Sequence, residues 1–265
     1  VMWSPVEKTA LAEAEVEYHD HVSPTIWVKF PVEMFATKPK GSPAVGNEPL
    51  AKDDVSSLQE LLGAYVVIWT TTPWTIPSNR GVAFNPSIDY GLYEAVSVPD
   101  ECWVKVGDRY IISDALADAV MKQARLEAGM YRRLRSVEAL ELETLFCAHP
   151  LADLDPFWEY PVPVLAADFV TDDAGTGFVH MAPSHGADDY ELFVKNGLVD
   201  RMTHNVLEDS SFRPELPFFG GLQVFDAKGK EGKANKAVID KLIEAGALLA
   251  RGRMTHSYPH SWRSK

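Results

Sequence analysis

The segment AYVVIWTTTPW, residues 64 to 74, constrains the fold more than any other part of the sequence. Its first six residues are apolar without alternation, which is typical of a strand covered by protein on both faces. The run passes directly into Thr70, Thr71 and Thr72 and stops at Pro73, which cannot donate to a strand ladder. We therefore expect a sheet with a buried strand that delivers three hydroxyl groups to one edge.

Strand patterns outnumber helix patterns along the rest of the chain. Alternating polar and apolar residues predict two strands around a turn at His19 to Pro24, and GFVHMA, residues 177 to 182, reads as another strand. Helix formers with early acids or a late glycine predict helices in 188–197 and 233–249. The pattern predicts an α+β fold in which helices decorate a strand-dominated, barrel-like core.

The length of 265 residues is enough for one large domain or two small ones. Residues 37–57 are rich in proline, glycine, serine and charge, which predicts a surface loop or insertion. No stretch approaches the roughly 20 apolar residues that span a bilayer, and the N-terminus lacks the layout of a signal peptide. We therefore expect a cytoplasmic protein without a membrane partner.

The charge of the chain is strongly acidic. Its 25 basic and 38 acidic side chains give a formal net charge of −13, opposite in sign to that of a free-standing nucleic-acid binder. Contact with nucleic acid would need a local patch or help from elsewhere. Cys102 and Cys147 lie far apart without a Cys-x-x-Cys pair, so we interpret them as ordinary buried thiols.

The threonine cluster has two interpretations. Threonine favours strands, and one or two of these residues need no other explanation. Three consecutive threonines at the end of a buried strand are different, because successive side chains point to opposite faces and at least one hydroxyl must find a partner inside. Such a site offers hydrogen bonds without a strong nucleophile.

A second polar cluster lies in VHMAPSHGADD, residues 179 to 189. His180, His185 and the two aspartates could hold zinc or manganese, but a His-x4-His spacing fits no common zinc pattern and Pro183 breaks any helix between the histidines. His185 and Asp188 are also compatible with an ordinary surface. Asp189 falls in the first turn of the predicted helix, where a carboxylate stays ionised, so it suits an ammonium ligand better than a general base.

Four segments resemble the inserted editing domain, connective peptide 1, of bacterial isoleucyl-tRNA synthetases. They are VEKTALAEAEVEY, WTTTPWTIPSNRGVAFNP, GTGFVHMAPSHGADDYELF and SYPHSWRSK. The valyl and leucyl relatives carry Thr-Thr-Arg-Pro where this chain has Thr71-Thr72-Pro73-Trp74, which favours the isoleucyl branch. The His-x-Gly-His and Lys-Met-Ser-Lys-Ser motifs of class I synthetases are absent from the sequence. The resemblance implies a single editing domain over residues 1–265, part of a larger synthetase and unable to aminoacylate by itself.

The resemblance also implies a reaction and its partners. A domain of this kind hydrolyses the ester of Val-tRNA(Ile), and valyl-adenylate as a second substrate, without a cofactor. Its partners would be the 3′ acceptor end of tRNA(Ile) carrying valine and the remaining domains of the parent synthetase, and we expect a monomer. Two alternatives stay open: a catalytically silent module that docks the acceptor end, and a metal-dependent hydrolase that uses His180, His185 and Asp189.

Residue roles follow from the same resemblance. Asp189 would bind the α-ammonium group of the misattached valine, and His180 would line the side-chain pocket and reject isoleucine. The resemblance assigns contacts with the terminal adenosine and the ester, and the positioning of water, to Thr70, Thr71 and Thr72. The wall of the site would be completed by Trp74, Thr75, Asn79 and Met181.

Overall fold

The structure is a computed structural model that describes residues 2–36 and 52–264. The strands in these ranges are β1 (Met2–Ser4), β2 (Thr9–Leu11), β3 (Val16–Phe35), β4 (Tyr65–Thr70), β5 (Gly81–Phe84), β6 (Tyr90–Ala95), β7 (Arg109–Ser113), β8 (Tyr131–Val137), β9 (Leu145–Cys147), β10 (Val162–Ala166), β11 (Phe178–Met181) and β12 (Leu248–Ser261). The α-helices are α1 (Lys52–Leu61), α2 (Ala117–Gln123), α3 (Ala139–Leu142), α4 (Ala187–Lys195) and α5 (Ala234–Glu244). Across the described ranges, none of these helices has the length and apolarity to cross a bilayer.

Ten strands form one mixed sheet, and β1 and β2 form a separate pair. The order in the large sheet is β11-β5-β10-β9-β3-β4-β7-β6-β8, and β12 pairs with β3 outside this path. The sheet curves so that β11, at one end of the path, lies against β4 near its middle. The prediction of a strand-dominated α+β fold is confirmed. The resemblance to a barrel lies in this curvature, because the hydrogen-bonded path is not closed in the described ranges.

Strand β4 is covered on both faces. Val66 and Ile68 are fully buried in the main core, whereas Val67 is fully buried in a second cluster with Ile112 and Met121. The alternation of strand side chains explains this division. The apolar run in the sequence therefore predicted the position and the double burial of β4.

Strand β3 corrects the prediction of two strands around a turn at His19 to Pro24. The chain continues through this segment as one strand of 20 residues, because β12 pairs with it from Val16 to Val28. The half before Ile26 has no third strand beside it, since pairing with β4 begins only at Ile26. Proline is tolerated at such an edge, where no ladder donor is needed. We call this two-stranded part, residues 16–24 with 253–261, the ribbon.

Residues 37–57 are the predicted surface loop, and most of them lie outside the described residues. Helix α1 begins at Lys52, so the last six residues of the predicted loop are helical. Leu58 and Leu61 lie about one turn apart on this helix and are buried in the core. The polar composition of residues 52–57 predicted a loop, but this segment is helical because Leu58 and Leu61 pack into the core.

The sheet brings the two polar clusters of the sequence together. Thr70 ends β4, and the chain then forms a 3-10 turn over Pro73–Ser78 before it enters β5. Strand β11, which carries His180, pairs with β5 and leads into α4. The threonine segment and the segment 179–189, about one hundred residues apart in sequence, therefore meet at one end of the sheet.

Candidate functional site

A cavity of about 230 Å³ lies between the end of β4, strand β11 and the start of α4. Both polar clusters contribute to its wall. The residues that line it are Trp69, Thr70, Thr72, Thr75, Val179, His180, Ala182, His185, Gly186 and Asp189.

The imidazole of His180 is held on both sides. The hydroxyl of Thr75 donates its one proton to the carbonyl oxygen of Thr72 at 2.8 Å, so it must accept a proton from Nε2 of His180, also at 2.8 Å. The side-chain amide of Asn79 donates to Nδ1 of His180 at 2.9 Å and to the carbonyl oxygen of Gly81 at 2.8 Å. His180 is therefore neutral, protonated at Nε2, and has no free lone pair.

Burial reinforces the neutral state of His180. Its side chain is buried, and desolvation, with a smaller contribution from His185, lowers its pKa to about 3. A metal ligand needs the lone pair that Asn79 occupies in this arrangement. In the described ranges, no group of three histidine, cysteine, aspartate or glutamate side chains is placed to hold a metal ion. The donor set therefore does not support the metal-dependent alternative.

The hydroxyls of Thr70 and Thr72 form a donor pair. Their oxygens lie 3.1 Å apart, and the oxygen of Thr70 also accepts the backbone N–H of Thr72 at 3.1 Å. One hydroxyl donates to the other, so whichever accepts keeps its own proton for a ligand. The pair offers the cavity one neutral donor and free acceptor lone pairs, and each hydroxyl has the hydrogen-bond partner that the sequence predicted for at least one threonine.

Asp189 faces the same cavity from the first turn of α4. Its Oδ2 accepts the backbone N–H of Ala182 at 2.6 Å. Burial is the largest influence and raises the pKa of Asp189, and the charge of Asp188 adds to this shift, while backbone hydrogen bonds oppose it. We expected the start of the helix to keep the pKa of this carboxylate low, but desolvation outweighs that effect. A cation bound next to Asp189 would offset this cost.

Gly186 makes room for that carboxylate. A β-carbon at this position would lie 2.6 Å from Oδ1 and 2.8 Å from Cγ of Asp189. The backbone angles of Gly186, φ −133° and ψ 142°, are open to any residue. Space, and not backbone conformation, is therefore what favours glycine at residue 186.

The other predicted site residues fall into three positions. Asn79 is fully buried behind His180 and supports it from outside the cavity. Trp74 lines a second, larger cavity and packs edge-on against His185, with ring centroids 4.9 Å apart. Thr71 and Met181 line neither cavity, and Met181 is buried in an apolar cluster with Phe193.

Two residues near the site lay outside the sequence-based assignment. His185, which the sequence placed either in the metal alternative or on an ordinary surface, lines both cavities, and burial lowers its pKa to about 4. Its Nε2 lies 3.3 Å from the hydroxyl of Ser78. Asn235 on α5 accepts the backbone N–H of Trp74 at 3.0 Å and fixes the threonine turn. The sequence next to Asp189 pointed to His185, whereas nothing in the sequence linked residue 235 to the site.

Comparisons with known proteins give a consistent assignment. No family model matches the chain. The chain is 52% identical over 269 residues to the isoleucine–tRNA ligase of Ruegeria pomeroyi, and this alignment covers 100% of the chain and 25% of the ligase. It is also 52% identical over 273 residues to the isoleucine–tRNA ligase of Caulobacter vibrioides, with the same two shares.

The fold is similar to that of a solved editing domain. The crystal structure of the editing domain of the P. falciparum cytosolic leucyl-tRNA synthetase superposes with a TM-score of 0.51 and 11% identity, over 84% of this chain and 98% of that chain. At this identity the likeness concerns the fold alone. Sequence identity carries the assignment to a family, and the chain spans 25% of the length of the ligases it matches. The chain therefore belongs, as a region of about a quarter of the full length, to the isoleucine–tRNA ligase family.

Proposed function

We propose that the 230 Å³ cavity binds the valyl ester at the 3′ end of tRNA(Ile) and hydrolyses it, with valyl-adenylate as a second substrate. One observation carries this proposal: a partly buried carboxylate, Asp189, faces a neutral hydroxyl pair in a cavity that presents no nucleophilic side chain with an activating base. That combination fits an amino-acid ester attacked by water.

The need for such a reaction comes from the limits of binding. A pocket that accepts isoleucine also accepts valine, because the missing methylene is worth only about 1–3 kcal/mol, and this pair of amino acids is the standard example of that limit. A second site that destroys the valyl product supplies the remaining selectivity. The family of the chain makes this pair of substrates the natural choice.

Asp189 is the group that recognises an amino acid in this proposal. The α-ammonium of an esterified valine is positively charged, and it offsets the desolvation that raises the pKa of the carboxylate. Oδ2 is already oriented by the backbone N–H of Ala182. The bound ammonium therefore places the ester carbonyl at a fixed distance from α4, toward the threonines.

The hydroxyls of Thr70 and Thr72 act on the ester. The hydroxyl whose proton is not used within the pair donates a hydrogen bond to the ester carbonyl oxygen or to the attacking water. The backbone N–H of Thr72 fixes the position of the pair. Water adds to the carbonyl carbon, the bond to the ribose oxygen breaks, and that oxygen takes the proton that water loses. A neighbouring ribose hydroxyl can relay this proton, since His180 has no lone pair free to accept it.

His180 sets the size of the cavity. Its ring is fixed by Thr75 and Asn79, so it cannot swing aside for a larger ligand without breaking two buried hydrogen bonds. We assign to it the contact with the valine side chain and the exclusion of isoleucine. Thr71 and Met181 have no contact with substrate in this proposal, because neither lines the cavity.

The proposal predicts selective deacylation by the chain. We expect it to release valine from Val-tRNA(Ile) faster than the uncatalysed ester and to leave Ile-tRNA(Ile) intact, with the same rate in excess chelator. The measurement is the time course of each labelled amino acid with and without chelator. A folded chain that binds tRNA and hydrolyses neither ester would favour the docking module, and activity lost to chelator would restore the metal alternative.

Gly186→Ala should impair catalysis without unfolding the chain. The added β-carbon must push the carboxylate of Asp189 aside, so we expect kcat/KM for the valyl ester to fall about 10-fold or more, with an increase in KM. The free energy of unfolding should change by less than about 1 kcal/mol, because the backbone angles suit alanine. Gly197→Ala is the matched control, since no atom lies near its β-carbon; its positive φ should cost stability and leave KM alone. An unchanged KM in Gly186→Ala would contradict the role of the carboxylate.

A further inference from the structure

His185 lies where the proposed ester site opens into the larger cavity. It lines both cavities, and Thr72 and Thr75 are the other wall residues that the two cavities share. The ring of His185 packs edge-on against Trp74, and its Nε2 lies 3.3 Å from the hydroxyl oxygen of Ser78. The proposed reaction gives this imidazole no role, although it is held at the mouth of the site.

Behind His185, a buried amide fixes the hydroxyl of Ser78. The side-chain nitrogen of Asn205 donates to the carbonyl oxygen of Pro77 and to the hydroxyl oxygen of Ser78, both at 3.2 Å. The carbonyl of Pro77 can only accept, so the amide atom that faces it must be the nitrogen. Asn205 is fully buried and Ser78 is 1% exposed. The oxygen of Ser78 therefore accepts from Asn205 in a place that water does not reach.

This contact determines which nitrogen of His185 carries the proton. The hydroxyl proton of Ser78 has one acceptor within hydrogen-bond distance in the described ranges, and that acceptor is Nε2 of His185. If Nε2 were protonated, the buried proton of Ser78 would be left unpaired, which is costly. Ser78 therefore donates to Nε2, and the neutral ring carries its own proton on Nδ1. Burial favours the neutral ring, because it lowers the pKa of His185 to about 4.

The Nδ1–H group of His185 is free for a ligand. No partner for Nδ1 lies in the part of the chain that the structure describes, and protein does not enclose the atom. Because Ser78 occupies the lone pair of Nε2, the ring is a hydrogen-bond donor and not a base. Ser78 itself lines neither cavity, so the two residues are not a nucleophile with its base. His180 differs, since both of its nitrogens are used within the protein.

We propose that Nδ1–H of His185 donates a hydrogen bond to the ribose oxygen that leaves when the ester bond breaks. This inference rests on the proposed function. The amino acid is held by Asp189 inside the small cavity, so the ribose joined to it lies where that cavity opens, next to His185. Negative charge develops on this oxygen as the bond breaks, and a fixed neutral donor stabilises it. The ring keeps its proton, and the ribose oxygen takes the proton that water loses.

The test uses two amides that each reproduce one nitrogen of the ring. The side-chain N–H of asparagine overlays Nδ1 of histidine, whereas the longer glutamine side chain reaches the position of Nε2. On Val-tRNA(Ile), we expect His185→Gln and His185→Phe to lower kcat about 100-fold with KM within about two-fold of the wild type. His185→Asn should stay within about 10-fold of the wild-type kcat, because it keeps a donor at the position of Nδ1.

Stability should follow the opposite order. Glutamine can accept the proton of Ser78, so His185→Gln should be the more stable amide variant, although it is the less active one. A merely structural role of His185 would give the same order for both properties. His204→Phe is the matched control, since His204 is exposed and lines neither cavity, and it should change neither kcat nor KM.

The tautomer of His185 is measured without any substrate. In nitrogen NMR spectra of labelled histidine, the signals that His185→Phe removes should show a protonated Nδ1 and an unprotonated Nε2. Ser78→Ala should reduce the share of this form, because it removes the hydroxyl that donates to Nε2. A ring protonated at Nε2 in the wild type would overturn the inference.

The outcomes separate this inference from the proposed function. Equal kcat in His185→Asn and His185→Gln would overturn the role of Nδ1 and leave the ester site in place. If the wild type hydrolyses no valyl ester, the proposed function fails first, and 3′-O-valyladenosine is then a stable ligand whose affinity decides the inference. About 5-fold weaker binding by His185→Gln than by His185→Asn would support the donor role, and equal binding would overturn it.

Discussion

Asp189→Asn is expected to lower kcat/KM for hydrolysis of Val-tRNA(Ile) by about 100- to 1,000-fold. The substitution keeps the shape of the side chain and removes the charge that holds the ammonium, and breaking a buried charge pair costs about 3–5 kcal/mol. Burial raises the pKa of Asp189 in the free chain, so the variant also removes a partly buried charge that has no salt bridge in the described part of the chain. Its free energy of unfolding should therefore not decrease. Loss of activity without loss of stability distinguishes a ligand-binding role from a structural one.

Asp188→Asn is the matched control for this substitution. Asp188 is the exposed neighbour in the same turn of α4, and it does not line the cavity. We expect its kcat/KM to stay within about two-fold of the wild type, because an exposed charge close to Asp189 contributes little. An equal loss in both variants would indicate a general effect of acidic charge and would contradict a specific ammonium contact.

The pH dependence of the reaction has a defined sign. Since the pKa of Asp189 in the free chain is raised, the carboxylate takes up a proton at a higher pH than an exposed aspartate would. Protonation of the carboxylate removes the negative charge that pairs with the ammonium group, so kcat/KM should fall as pH is lowered through that raised pKa. The pKa values of His180 and His185 are lowered to about 3 and about 4, so both rings stay neutral to a lower pH than an ordinary histidine does.

His180→Ala is expected to convert rejection of isoleucine into hydrolysis. Removal of the ring opens space next to the valine side chain, and the isoleucine ester should then be hydrolysed within about 10-fold of the valyl ester, since one methylene in an open pocket discriminates weakly. The substitution removes one hydrogen-bond partner each from Asn79 and Thr75, which should cost about 1–3 kcal/mol of unfolding free energy. The measurement is deacylation of Val-tRNA(Ile) and Ile-tRNA(Ile) by the same preparation.

His149→Ala controls for the loss of a buried imidazole. His149 is also buried with a pKa lowered to about 3 by desolvation, and its Nε2 lies 3.0 Å from the carbonyl oxygen of Ile76. It does not line the small cavity, so its variant should lose stability and keep the selectivity of the wild type. If His180→Ala lost valine hydrolysis and gained none on isoleucine, the steric role of His180 would be wrong.

The sequence predicted the parts of the fold in which local pattern and burial agree. The apolar run before Thr70 marked a strand buried on both faces, the early acids marked α4, and helix formers with a late glycine marked α5. Each of these elements is recognisable because its own residues decide which faces are covered.

The parts that sequence reasoning missed depend on distant partners. Strand β3 runs straight through Pro24 because β12, more than two hundred residues later, pairs with it. The neutral tautomer of His180 depends on Asn79, 101 positions away, and the raised pKa of Asp189 depends on burial that only the assembled site creates. The resemblance pointed to these side chains, whereas their protonation states required the packed structure.

The most direct test of the ammonium site crosses a change in the enzyme with a change in the substrate. The wild type and Asp189→Asn are each assayed on the valyl ester of tRNA(Ile) and on its 3-methylbutanoyl ester, which is valine without the amino group, with every rate divided by the uncatalysed rate. The account predicts that either change alone costs about 100-fold or more and that the second change then costs almost nothing, because both remove the same contact. Independent losses that multiply would show that Asp189 does not bind the ammonium group and would contradict the proposed site.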